Sequence, residues 1–391
     1  MHRKIALLWD VDPHGGGSHQ WGLNILAALA DYSKARGDLA VVVLHYNDYP
    51  LGHPIAKLFP AFHVMPVGWI GKTFSRFFRR AIVAMPALLP WLRGLFPLNH
   101  VLKREAVDLV LFPVTLLDSL LCNRRHIFCM ADIAHVHFPN FPEVREGNGL
   151  RIRDVLFRYG LANADQVMVE SEELRREIAK HYGADPAKAH VVYQVLPRLF
   201  ELSAHPDLGE AMPQPYLFYP AQLWAHKNHL NLLTAFAEVA AEFPQLHLVL
   251  SGSRKPGDRA IFDRIESLGL AARVRYLGYV PDEKMPQLYR NAAALVMPTW
   301  FGPSNIPTLE AFAFGTPAVI SDLPGVEEQV RDAALRFDPA DPSDMAAKLR
   351  MVLKDEALRA ALVEKGKARL RQLSYDNYRR QMFGLFDAAL R

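Results

Sequence analysis

The pattern that most narrows the possible folds is an alternation that runs twice. Short apolar runs of strand length take turns with longer stretches of helical period. Parallel strands joined by crossover helices are buried on both faces, so they read as continuous Val, Ile and Leu runs rather than as an apolar–polar alternation. In the first half Ile5–Trp9, Leu39–His45, Val107–Phe112, His126–Met130 and Gln166–Val169 have this character, and Ser18–Ala30 has helical period. In the second half the strand-like runs are Tyr216–Tyr219, Leu246–Leu250, Val274–Leu277, Ala294–Met297 and Ala318–Ile320. Helices are expected between them at Leu230–Glu242, Ala260–Leu268, Glu283–Arg290 and Pro307–Phe314, with a further one at Ser343–Lys354. The intervening stretch, which contains HPDLGEAMPQP, loses all periodicity and reads as a linker. The expectation is an α/β chain of two Rossmann-like, doubly wound domains over residues 1–197 and 216–374, with a linker at 198–215. Two such sheets in series are expected to face a cleft, and ligands of such sheets sit beyond the carboxyl ends of the strands.

Length agrees with this division: 391 residues at roughly 100–200 residues per domain make two domains. Cys122 and Cys129 form neither a disulfide framework nor a metal-spacing pattern, which favours a reducing compartment. No apolar run reaches the roughly 18 residues that span a bilayer, so the expectation is a soluble, cytoplasmic protein. Charge is unevenly spread: between Asp48 and Glu105 lie 56 residues without an acid, holding Lys57, Lys72, Arg76, Arg79, Arg80, Arg93, Lys103 and Arg104. A one-sided basic region implies an anionic partner. Nucleic acid is set aside, because no aromatic-studded basic groove accompanies the charge.

Several loops at strand ends carry the candidate chemistry. Gly15-Gly16-Gly17 sits between the first strand and first helix. It is either a plain βα turn or a turn that lets backbone approach a ligand. Its spacing is not GxGxxG and no acid closes the second strand, so a dinucleotide is disfavoured. Asp10-Val-Asp12 has the form of a metal-holding Asp-x-Asp, but turn-forming Asp at a strand end is ordinary, and no metal is expected. His135, in ADIAHVH, is suited to a sugar hydroxyl or equally to a structural loop. Lys227 and Asn228 stand before the helix at Leu230, where a cation joins helix N-terminal amides. Arg254 and Lys255 follow another strand. In FGPSNIPTLEAFAFGTP (301–317), Pro307 suits a first helical turn, and the amides from Asn305 to Leu309 would hold a diphosphate. Glu310, expected in that first turn, should not face phosphate. It suits vicinal hydroxyls such as those of a ribose, or else only offsets the helix dipole.

Taken in order and spacing, FYPAQLWAHKNH, RVRYLGYVPDEKMPQLYRNAAALVMPT, the 301–317 stretch and SDLPGVEEQVRDAALRFDP resemble the retaining glycosyltransferases of family 4, which have the GT-B fold. The likeness covers about 120 residues of the second half, and more loosely the Gly-rich turn and ADIAHVHFPNF of the first. The resemblance implies a second domain that binds a nucleotide-sugar donor, a first domain that binds the acceptor, and a last helix (about 375–391) that crosses back to the first domain. It implies a ribose-binding role for Glu310 and a leaving-group role for Lys227, with His135 near the donor sugar and Asp132 beside it. It also implies donor contacts at Gly16, Gly17, Gln222, Arg254, Ser304, Asn305 and Ile306. Two family positions are changed: the first of two glutamates falls on Gly302, and an arginine falls on Gln222. Ser304 and Asn305 are expected to supply neutral hydrogen bonds in compensation, and Arg254 or Lys255 the missing charge. The implied activity is metal-independent transfer of a hexose, such as mannose, to a glycan or lipid-linked saccharide of the cell envelope, with retained anomeric configuration. The alternatives are a non-catalytic nucleotide-sugar-binding partner subunit or an epimerase of the same fold.

GKTFSRFFRRAIVAM (71–85) has helical period, with Phe74, Phe77, Phe78, Ala81, Ile82 and Met85 on one face and Lys72, Arg76, Arg79 and Arg80 on the other. Such a segment either lies in an anionic membrane interface, making the enzyme peripheral at the inner face, or packs on its own domain.

Overall fold

The computed structural model describes residues 3–11, 17–46, 54–67, 69–146, 149–196, 212–302 and 304–391; for 69–76 it describes the backbone only. Gly16, Asp12 and most of the expected linker lie outside the described residues. The chain divides into two compact units, one of 1–139, 145–193 and 376–391, the other of 140–144 and 194–375.

The first unit is built on a parallel seven-stranded sheet: β1 (Arg3–Trp9), β2 (Leu39–His45), β3 (His63–Pro66), β4 (Leu109–Phe112), β5 (Arg125–Met130), β6 (Gln166–Val169) and β7 (Ala189–Val191). Their order is β3-β2-β1-β4-β5-β6-β7. The direction of winding reverses between β1 and β4, which opens a crevice at their carboxyl ends. The central strands are the apolar runs of the sequence; Ile5 to Trp9 and Leu109 to Phe112 are all buried. Two edge strands, β3 and β7, escape the sequence pattern, because each is short and largely half-exposed.

The second unit holds a parallel six-stranded sheet of β8 (Tyr216–Pro220), β9 (His247–Ser251), β10 (Val274–Tyr276), β11 (Ala294–Met297), β12 (Ala318–Ser321) and β13 (Ala334–Phe337). The order is β10-β9-β8-β11-β12-β13, with the switch between β8 and β11. Here too the strand missing from the sequence reading, β13, is an edge.

The C-terminal helix, Tyr375–Leu390, belongs from Asp376 to the first unit. Met382, Leu385, Phe386 and Ala389 are fully buried, and the Phe383 and Phe386 rings meet Tyr32 at 5.0 and 5.1 Å. Met382, Leu385 and Phe386 each contribute about 1.5–3 kcal/mol by leaving water. The Tyr32 hydroxyl donates to Asp387 at 2.6 Å, and Arg3 donates to the Leu390 carbonyl at 2.7 Å.

The helix Trp69–Ala84 divides its residues differently from the sequence expectation. Phe78 and Ile82 enter the core, with the Phe78 ring edge-on to Phe96 at 5.8 Å. Phe77 is exposed instead. Arg79 is not a solvated cation. It donates to the wholly buried Asp118 at 2.6 Å and to Asp10 at 3.2 Å, while Tyr46 donates to Asp118 at 2.8 Å. A buried carboxylate needs a fixed countercharge, and that need claims both Arg79 and Phe78 for the fold. It also commits Asp10 to an ion pair. The side chains of Phe74 and Arg76 lie outside the described residues, and Arg80 is exposed.

Candidate active site

Topology brings the candidate residues of the second unit to one end of its sheet. The loops after β8 and β11 flank the switch point, and the loop after β9 adjoins them. Leu223 N–H donates to Ser253 at 3.1 Å. Gly252, at φ 133°, lies so close that an added Cβ would stand 2.3 Å from the Ala221 carbonyl oxygen. A side chain there would force apart the two loops that carry Gln222 and Arg254.

Lys227 ends a short turn, Ala225–Lys227, that is held from several sides. Its carbonyl accepts from the Tyr219 hydroxyl at 2.7 Å. Asn228 follows in the left-handed region at φ 59°, and its amide group donates to the carbonyls of Pro298 and Pro339 at 2.9 and 2.8 Å. His226 accepts from Trp300 N–H at 2.9 Å, and its ring stacks on Phe301 at 4.2 Å. The backbone that presents Lys227 is therefore fixed before any ligand arrives.

A carboxylate not singled out in the sequence completes this node. Residues 140–144 join the second unit because Phe141 packs on Trp300 and Phe301, at 6.3 and 5.7 Å, and Glu143 binds His226. The Glu143 carboxylate accepts from the His226 backbone N–H at 2.9 Å and also bonds the His226 ring. Burial pushes its carboxyl up, but these hydrogen bonds outweigh burial and hold it below the ordinary carboxylate range.

Two further cations of the site have these partners. Arg254 forks onto Asp258 at 2.6 and 3.1 Å and covers the Phe262 ring at 4.8 Å. Lys255 lies over the Trp224 ring at 5.0 Å, and the Trp224 indole donates to Gln222 at 2.9 Å. The sequence offered either cation as compensation; the geometry puts Lys255 over the Trp224 ring that bonds Gln222, and Arg254 in an ion pair with Asp258.

The helix after β11 runs Ile306–Phe314, closed by Gly315 at φ 72°. It begins one residue earlier than expected, so Glu310 is its fifth residue and stands beyond the first turn. Glu310 is buried and accepts a hydrogen bond from the Tyr289 hydroxyl. Burial, with Asp282 adding to it, pushes its carboxyl up to about 7 despite the Tyr289 bond. Asn305 N–H donates to Gln329 at 3.1 Å, which removes it from the amides expected to face a phosphate. Gly302 sits at φ 83°, a left-handed conformation that disfavours a glutamate, so the change at this position alters backbone as well as charge. Ser304 is half-exposed on the same loop.

In the first unit a cavity of about 310 Å³ opens at the β1/β4 switch point, lined by Asp10, Ser18, Trp21, Thr115 and Met130 among others. Gly17 is exposed at the start of the helix Gly17–Arg36 on this side. His135 lies elsewhere, on the short helix Ala134–His137, and is 6% exposed. Its Nε2 meets the Tyr182 hydroxyl at 2.6 Å, and its ring lies 4.9 Å from Phe157. Burial first, then Arg153, lowers its pKa to about 4, so the ring is neutral. The histidine expected at a sugar is thus packed and hydrogen-bonded within its own unit. Asp132, just before the same helix, accepts from Ala134 N–H at 2.8 Å.

Two doubly wound units with these strand orders have the GT-B fold. Sucrose-phosphate synthase from Thermosynechococcus elongatus superposes with a TM-score of 0.74 at 18% identity, covering 98% of each chain. Anabaena Alr3699/HepE, solved with UDP and glucose, gives 0.69 at 19% identity, covering 99% of this chain and 100% of that one. Within that fold class the chain belongs to the family 4, group 1 glycosyltransferases. "Glycosyltransferase Family 4" matches residues 24–195, and "Glycosyl transferases group 1" matches residues 202–369. O-antigen chain mannosyltransferase B of Escherichia coli is 34% identical over 165 residues, 42% of this chain and 43% of that protein. The chain spans about half the length of the curated relatives it matches.

Proposed function

We propose that this protein transfers a hexose from a nucleotide diphosphate sugar to a glycan or lipid-linked saccharide of cell-envelope type. The observation that carries the reading is the second unit's switch point, where a pinned Lys227, Gln222 and the Ile306–Phe314 helix bearing Glu310 are set on adjacent strand ends. Support comes from family membership, from the mannosyl activity in the name of the Escherichia coli relative, and from the UDP and glucose held by Anabaena Alr3699/HepE. Mannose is the hexose this support favours.

The chemistry follows from where charge develops. As the glycosidic bond breaks, negative charge grows on the diphosphate. Lys227, Lys255 and the Ile306 amide at the helix start stabilise it, and because they are preorganised they act without reorganisation at the moment of reaction. Glu310 accepts from the ribose hydroxyls once it is ionised, with Tyr289 holding its other oxygen. The departing phosphate oxygen takes the acceptor proton on the face it leaves, so anomeric configuration is retained and no metal ion takes part. Buried and bonded to Tyr182, His135 serves as a positioning residue for the 131–137 segment.

The protein works in the cytoplasm, attached peripherally at the inner face of the membrane. No helix among the described residues is long and apolar enough to cross a bilayer. The attachment face is set by Phe77, Met85, Leu88, Trp91 and Leu95, exposed near Arg80, with Trp91 79% exposed. Trp91→Ala/Leu95→Ala should abolish sedimentation with anionic vesicles; unchanged sedimentation refutes this face.

A thermal-shift screen of GDP-, UDP-, ADP- and dTDP-linked sugars tests the donor assignment. One donor class should raise Tm by mass action, and its shift should shrink in Glu310→Ala. No shift with any donor refutes the reading.

A further inference from the structure

The helix Ala134–His137 meets the helix Glu172–Tyr182 at two places. One is the His135–Tyr182 hydrogen bond already described. The other, beside it, gathers His137, Glu177 and His181, whose ligand-type atoms all lie within 4.8 Å of one another. Glu177 and His181 are four residues apart and so share one face of their helix. His137 Nε2 stands 2.7 Å and His181 Nε2 3.3 Å from the same oxygen, Glu177 Oε2. The other carboxylate oxygen takes Lys180 at 3.4 Å.

These atoms converge on one point rather than forming a chain of separate pairs. Oε2 is closed to solvent, and both imidazole nitrogens converge on this one oxygen, His137 as its closer partner. The two imidazole rings stand at 90° to each other, with centroids 5.7 Å apart. Three ligand-type atoms that converge this closely, from rings at right angles, are placed as ligands of a common centre are.

We propose that His137, Glu177 and His181 form a site for a divalent transition metal, Zn²⁺ foremost. Two imidazoles and a carboxylate are a donor set that suits zinc. Bonds of about 2.0–2.2 Å in a tetrahedron separate ligand atoms by about 3.3 Å. The His181–Glu177 spacing already has that value, and the His137–Glu177 spacing needs to open by roughly half an ångström. His137 is 46% exposed, which leaves the fourth position to water. The site lies outside the transfer chemistry and does not depend on the proposed function. A bound ion would tie the segment carrying Asp132 and His135 to the helix carrying Tyr182, and so stiffen it.

Zinc itself is the probe. The untagged full chain, stripped with chelator, is titrated with ZnCl₂ at pH 7.5 by calorimetry, alongside Glu177→Gln, His137→Gln and His181→Gln. The wild type should bind one zinc with micromolar or tighter affinity, and each variant should bind at least tenfold more weakly. All three positions are partly exposed, and circular dichroism without metal should show each variant folded. X-ray absorption should show nitrogen and oxygen neighbours only. Hydrogen exchange of residues 134–138 should slow on zinc addition in the wild type alone. Absence of saturable binding, equal binding by all the variants, or sulfur in the coordination shell overturns the site.

Discussion

Glu310→Gln isolates the energetic consequence of burying a carboxyl at the candidate site. In the folded protein its pKa stands at about 7, raised chiefly by burial, against 4.5 for the free side chain. A raised folded pKa means that the native state holds the proton more tightly than the unfolded chain does. The stability this confers is therefore fully present below pH 4.5 and is lost as pH rises through 7. A shift of some 2.5 units at 1.36 kcal/mol each makes the loss about 3 kcal/mol. Glutamine is nearly isosteric, still accepts from Tyr289 and does not titrate. Urea unfolding of both proteins between pH 4.5 and 8.5 reads the effect, because the difference between them cancels every other titrating group. The variant should gain on the wild type by about 3 kcal/mol across that range. A flat difference means that the carboxyl is solvated in the native state, and it refutes the burial assigned to Glu310.

Lys227→Ala should lower kcat by about 10²–10³ with little change in stability, since it removes charge stabilisation from the leaving diphosphate; single-turnover kinetics with the identified donor measures it. Glu143→Ala strips the acceptor from the His226 amide and ring and should cost about 1–3 kcal/mol in chemical denaturation, with Glu143→Gln restoring part of it. Arg79→Ala leaves Asp118 buried without its countercharge and should cost about 3–5 kcal/mol whether or not vesicles are present, which separates its structural role from membrane attachment.

The sheets were legible because parallel strands buried on both faces must be apolar throughout. Leu39–His45, Gln166–Val169 and Ala294–Met297 have the bounds their sequence predicts. The strands that escaped, β3, β7 and β13, all lie at sheet edges, where one side lacks a neighbour and the apolar requirement relaxes. Ala334–Phe337 is buried only at its two ends. The amphipathic stretch at 71–85 was read correctly as a helix and incompletely as a surface. A helical wheel orders residues by angle but does not show what stands opposite them. Phe78 faces Phe96, and Arg79 faces a carboxylate 39 positions further along the chain.

The site divides in the same way. Positions fixed by a strand end and a helix start, such as Lys227 and the entry to Ile306–Phe314, follow from local pattern, because the sheet's switch point decides where they go. Partners supplied from a distance do not. Tyr289 reaches Glu310 from another helix, and Glu143 reaches His226 from 83 residues upstream. Charge inventory along a motif counts one acid lost at Gly302 and treats the loss as a gap. In three dimensions the turn before Lys227 already binds the half-buried carboxylate of Glu143, and Gly302 has a backbone conformation in which a glutamate would be strained by about 1 kcal/mol or more. A second acid restored at position 302 would therefore act against the loop's own geometry. The sequence departure at this position is coupled to the fold of the loop, and under the proposed function the place to test for donor selectivity is the Gln222–Trp224–Lys255 cluster rather than a missing glutamate.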